Sequence, residues 1–207
     1  MEIVFDFDGT LVDSVQQIYV TTQRFFAEVT GEQVTLEEVV RREGGTFEST
    51  FANYGFHDAA DVARMIPRWG ELALEHEYQA YAGVADLLDQ LEARGHRLHV
   101  WTARDPGSTR GILERTGLAG KFTGRIGGWN ATAPKPDPRG LGQVVDGASA
   151  ASVLMIGDGW NDLKGARGYG ARSILALWGG HVDPKLREEP GLALALTPAD
   201  CLALVGR

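Results

Sequence analysis

The chain has 207 residues, 43% hydrophobic and 23% charged, an ordinary globular composition with room for one compact domain and a smaller inserted one. A net charge of -8 disfavours nucleic acid or an anionic membrane surface as a partner, but not an anionic substrate whose charge a bound divalent cation offsets. Cys201 is the only cysteine, no apolar run reaches the roughly 18 residues of a membrane helix, and the first residues begin a strand rather than a signal peptide. A cytoplasmic protein, monomer or homodimer, is expected.

Ile3, Val4 and Phe5 form a short apolar run of the kind that makes a strand buried on both faces. It ends in Asp6-Phe7-Asp8-Gly9-Thr10, where two carboxylates stand two residues apart. Like charges at the end of a buried strand repel and lose solvation, unless a cation or a shared proton compensates.

From Ser14 to about Thr30 the pattern predicts a helix with Ile18, Phe25 and Phe26 on its apolar stripe, Asp13 or Ser14 as N-cap, and a stop at Gly31. From Thr35 to Tyr81 helical patterns continue, punctuated by Gly44-Gly45, Gly55 and Pro67. Within that insert Arg41, Arg42, Gly44, Gly45, Thr46 and Phe47 read as a helix-breaking loop able to fold over a site. Arg41 or Arg42 could then pair with a substrate carboxylate or second phosphate.

Beyond Gly83 helix and strand alternate. Helices are expected over Val84–Ala93, Gly107–Thr116, after Pro138, over Asn161–Gly168 and over Pro198–Val205. Strands are expected over Leu98–Thr102, weakly near Arg125–Gly127, over Val153–Gly157 and over Arg172–Ala176. The fold class is therefore α/β: a Rossmann-like core of mostly parallel strands with helices on both faces, and a helical insert after the first strand. The expected division is a core of 1–13 and 82–207 and an insert of 14–81.

Ligands of such sheets sit beyond the carboxyl ends of the strands. Those ends carry Asp6, Asp8 and Thr10, then Thr102, Ala103 and Arg104, then Gly157-Asp158-Gly159-Trp160-Asn161-Asp162. Lys135 lies in Pro134-Lys135-Pro136-Asp137-Pro138, whose prolines restrain its backbone. Four carboxylates gathered at one edge call for a hard, oxygen-seeking cation, and Mg²⁺ suits, since it shares a few carboxylates with waters and phosphate oxygens. The five histidines show no metal-ligand spacing and read as surface or packing residues. Trp69 and Trp101 read as core, and Trp160 as packing near the pocket mouth.

Asp6-Phe7-Asp8-Gly9-Thr10, Thr102, Lys135 and Asp158…Asp162, in this order, resemble the four motifs of the haloacid dehalogenase-like hydrolase superfamily. The insert resembles that superfamily's C1-type cap, as in phosphoglycolate phosphatase-like members. The resemblance implies a phosphatase with Asp6 as nucleophile and Asp8 as general acid and base, acting on a small phosphorylated metabolite. It implies Mg²⁺ held by Asp6, Asp8 through its backbone carbonyl, and Asp158, with Asp162 behind. Thr102, Ala103, Lys135 and Gly9 would hold the phosphoryl group, and Arg42, Gly45, Thr46 and Trp160 would bear on substrate choice. Arg104 stands where many relatives read Asn-Lys. Two rival readings share some of these residues: a β-phosphoglucomutase-like phosphomutase, and a non-catalytic phosphate-binding or receiver-like module.

Overall fold

A computed structural model describes residues 1–122, 124, 126–127 and 133–206. In chain order the elements are β1 (Glu2–Phe5), β2 (Val12–Asp13), α1 (Val15–Thr30), α2 (Leu36–Arg42), α3 (Phe47–Asn53), α4 (Ala59–Ala73) and β3 (Gln79–Ala80). There follow α5 (Val84–Ala93), β4 (Arg97–Trp101), α6 (Pro106–Arg115), β5 (Ile126–Gly127), α7 (Pro138–Val144), β6 (Val153–Gly157), α8 (Trp160–Tyr169), β7 (Arg172–Ala176), β8 (Ala193–Ala195) and α9 (Cys201–Leu204).

The main sheet runs β5-β4-β1-β6-β7-β8 with every neighbouring pair parallel. β1 sits in its middle because its side chains feed two separate cores. Ile3 and Phe5 pack with Leu87 and Leu91 of α5 and Ile112 of α6, while Val4 packs with Trp101, Leu141 of α7 and Ala166 of α8. Helices therefore cover both faces, as a continuous apolar strand requires. The chain crosses from β1 to β4 on one side and from β5 to β6 on the other, so the crevice at the carboxyl end of β1 is the switch point where such sheets bind ligands.

Helices α1 to α4 lie between β1 and β4 and own a third apolar cluster, built on Phe25, Phe26, Phe51, Ile66 and Trp69. Phe26 and Tyr54 stack at 3.6 Å between ring centres, and Phe47 meets Trp69 edge to face at 4.9 Å. β2 and β3 pair antiparallel where the chain leaves the sheet and returns to it. α4 runs through Pro67, which the sequence suggested as a break. Its flank of apolar contacts at Ile66 and Trp69 outweighs the lost backbone bond. Of the weak strand expected near Arg125–Gly127, Arg125 lies outside the described residues and Ile126–Gly127 pairs with β4. Among the described residues no helix is long and apolar enough to cross a membrane.

Candidate active site

Asp6 follows β1 directly, and its amide donates to the Ile156 carbonyl of β6 at 2.8 Å, so the sheet itself aims the carboxylate. The Lys135 ammonium bridges Asp6 Oδ1 and Asp162 Oδ1 at 2.5 Å each, and lies 5.3 Å from the centre of the Trp101 ring. Burial disfavours that ammonium, but the charges of Asp162 and Asp6 outweigh it and hold its proton more firmly than an ordinary lysine does. The carboxylates answer in the opposite sense. Burial, then the charge of Asp162, lifts Asp6 well above the usual carboxylate range despite Lys135, and burial likewise raises Asp162. One lysine does not neutralise this cluster.

Asp158 follows β6 and takes hydrogen bonds from Thr10 Oγ1 at 3.3 Å and from the His181 ring nitrogen Nε2 at 3.0 Å. The hydrogen bond to Asp158 raises the imidazole's proton affinity, against the effect of its partial burial. His181 was read as a surface or packing residue, and the structure corrects that. It follows β7 in Trp178-Gly179-Gly180-His181, and applying the strand-end rule to this strand as well would have found it.

Asp6, Asp158 and Asp162 each offer an oxygen within 4.8 Å of the others'. An all-oxygen donor set, two of whose members resist ionisation because they are buried and lie beside other carboxylates, fits Mg²⁺. Gly9 makes the approach feasible. It sits at φ 76°, and a Cβ there would collide with Asp158 Oδ2 and His181 Nε2.

Asp8 lies in the same cavity but answers to a different cation. Arg104 Nε reaches both its oxygens at 3.0 Å and Nη2 reaches Oδ1 at 2.7 Å, a bidentate fork. Ser14, the N-terminal flank of α1, donates its hydroxyl to the same Oδ1 at 2.7 Å instead of capping the helix. The Arg104 guanidinium is buried, lying 5.2 to 5.7 Å from the ring centres of Trp69, Phe7 and Tyr78. Arg104 thus holds Asp8.

The cavity encloses about 820 Å³. Asp6, Asp8, Asp158, Asp162, Lys135 and Arg104 form its floor with Thr102 and Ala103, whose strand β4 ends beside them. Gly45, Thr46 and Trp160 line it too, and Asn161 Nδ2 donates to the Gly45 carbonyl at 3.0 Å, tying insert to sheet. Thr46 spends its hydroxyl capping α3, and Trp160 donates its indole N–H to Asp183 at 2.8 Å. Gly9 is buried behind Asp158 and does not line the cavity, and neither does Arg42. The Arg42 guanidinium pairs with Glu38 at 2.7 Å, one helical turn back, and stacks 4.7 Å from the Tyr54 ring centre. Glu43, which the sequence reading passed over, lines the cavity instead.

The profile of the haloacid dehalogenase-like hydrolases matches residues 3–176, which include the acidic residues of the floor and Lys135. The chain belongs to this family. The phosphoglycolate phosphatase of Rhodospirillum rubrum is 30% identical over 197 residues, covering 88% of this chain and 81% of that protein. That of Cereibacter sphaeroides is 30% identical over 183 residues, covering 84% and 83%. Among solved structures, a hydrolase from Pseudomonas syringae superposes with a TM-score of 0.80 at 22% identity, covering 99% of this chain and 97% of that one. CbbY from Rhodobacter sphaeroides, solved in complex with phosphate, gives 0.75 at 23% identity, covering 96% and 95%. At these identities the two structures speak for the fold alone. Family and sequence relatives together make the chain a hydrolase of the phosphatase type.

Proposed function

We propose that the enzyme is a Mg²⁺-dependent phosphatase that hydrolyses a small phosphate monoester through an aspartyl-phosphate on Asp6. The observation that carries this is the Asp6 carboxylate at the switch point, buried beside Lys135, Asp158 and Asp162. Asp6, Asp158 and the Asp8 backbone carbonyl would hold the metal, with Asp162 and Lys135 behind them. When bound, the metal supplies positive charge to the transferring phosphoryl oxygens.

In the first half-reaction an Asp6 oxygen attacks phosphorus, the ester P–O bond breaks, and protonated Asp8 gives its proton to the departing alkoxide. Lys135 then balances charge passing between Asp6 and the phosphoryl oxygens, and Thr102 and Ala103 border the place where those oxygens gather. In the second half-reaction Asp8, left ionised by that transfer, takes a proton from water as the water attacks phosphorus and frees Asp6. Helices α1 to α4 act as a cap that excludes bulk water from the phosphoenzyme. A cytoplasmic setting suits a chain whose single cysteine, Cys201, is buried and unpaired.

Phosphate release from a panel of esters, with phosphoglycolate as the reference named by the relatives, tests the proposal. Release with Mg²⁺, and its loss with chelator, is expected. Release undiminished by chelator would contradict the metal assignment.

A further inference from the structure

The floor of the cavity belongs to phosphate chemistry, but its roof belongs to the substrate's other end. Val15, Ile18 and Tyr19 of α1 line it at the i, i+3, i+4 spacing that puts side chains on one helix face. Val39 of α2, Phe47 of α3 and Trp69 of α4 continue that surface. Of the stripe read from the sequence, Phe25 and Phe26 are buried in the insert's own core, while Ile18, which packs against that core, also lines the cavity.

The charges on this roof point the same way. Among the described residues the cations lining the cavity come from the sheet side: Lys135 pairs with Asp6 and Asp162, Arg104 with Asp8 and His181 with Asp158, while Lys164 of α8 is exposed and lies 5.9 Å from the Trp160 ring centre. The charged lining residue from the insert is an anion, Glu43, whose carboxylate takes the Gly45 amide hydrogen at 2.6 Å. Arg41 and Arg42 are absent from the lining. A second anionic group on the substrate would lose its hydration against apolar side chains and face Glu43 with no cation of the roof to meet it. A ring or branched alkyl chain would be sheltered there. The volume of about 820 Å³ falls in the range of roughly 300–1,000 Å³ that holds ligands much larger than a two-carbon acid.

We infer that the physiological ester carries an uncharged, apolar leaving group of aromatic or branched aliphatic type, with the phosphate as its one anionic end. This rests on the phosphatase reading above and specifies which ester it serves.

The test compares kcat/KM of the wild-type enzyme for benzyl phosphate, ethyl phosphate and phosphoglycolate under saturating Mg²⁺. All three are esters of alcohols, so the comparison avoids the intrinsic reactivity of phenolic leaving groups. Benzyl phosphate is expected to exceed ethyl phosphate by about tenfold or more, carried mainly in KM, with phosphoglycolate below both. Glu43→Gln should raise the phosphoglycolate value about threefold, and Phe47→Ala should narrow the gap between benzyl and ethyl phosphate. A wild-type preference for phosphoglycolate would overturn the inference and leave the phosphatase reading standing. Release from none of the three would overturn that reading, and the inference with it.

Discussion

Asp8 and Arg104 form an ion pair whose members are unequally buried. The Arg104 side chain is 1% exposed and the Asp8 side chain 20%, so each partner fares differently when the other is removed. Asp8→Asn strands a guanidinium among Phe7, Trp69 and Tyr78 with only the weaker attraction of Asp105 to answer its charge, a loss of roughly 3 kcal/mol. Arg104→Met leaves a carboxylate that water and Ser14 can still reach, and fills the aromatic box with a flexible apolar chain, a loss of about 1 kcal/mol. Denaturant midpoints of the two variants should therefore rank Asp8→Asn as the less stable. The opposite order would mean that the fork is not what holds Arg104 in place. Nothing local in the sequence discloses this pair, because its members are 96 residues apart and belong to different strand ends. Asp6, Asp8, Asp158 and Asp162 stood out for another reason: carboxylates at the ends of apolar strands carry an electrostatic penalty that a reader can see without coordinates.

At the scale of elements, the legible ones were those with a long enough apolar signal. β6 and β7 fall on the expected Val153–Gly157 and Arg172–Ala176, and α1 ends at Gly31 in the left-handed region as expected. β2 and β3 have two residues each and β8 has three, too few for any periodicity, and only their partners make them strands. Arg42 was misleading because an arginine near a glycine loop reads the same whether it meets a substrate or Glu38 one turn away. The turn after β1 is where element geometry governs chemistry. Gly9→Ala would place a methyl against Asp158 and His181 and force an L-residue to φ 76°, a strain of about 1–3 kcal/mol. The expected result is a lower melting temperature together with loss of Mg²⁺-dependent phosphate release. Unchanged activity would show that the turn has slack that the close packing denies.

Across the whole molecule, two layers of different character meet over one cavity. The sheet contributes charge at the switch point, and the helical insert contributes an apolar roof, with the Asn161–Gly45 hydrogen bond among the links between them. The residues at the carboxyl ends of the expected strands made the first half readable. The second half depended on how α1 turns its faces, which a stripe of apolar residues alone does not fix. The central claim is that the phosphoryl group passes through Asp6, and Asp8→Asn offers the most direct view of it. An aryl phosphate needs no proton on its leaving oxygen, so the first half-reaction should proceed without Asp8, while the second lacks its base and stalls. The measurement is peptide mass mapping after an acid quench of Asp8→Asn mixed with an aryl phosphate and Mg²⁺. The account predicts one added phosphoryl group on the peptide carrying Asp6, and none when Asp6→Asn is also present. A phosphoryl group on any other residue, or one that survives Asp6→Asn, would contradict it.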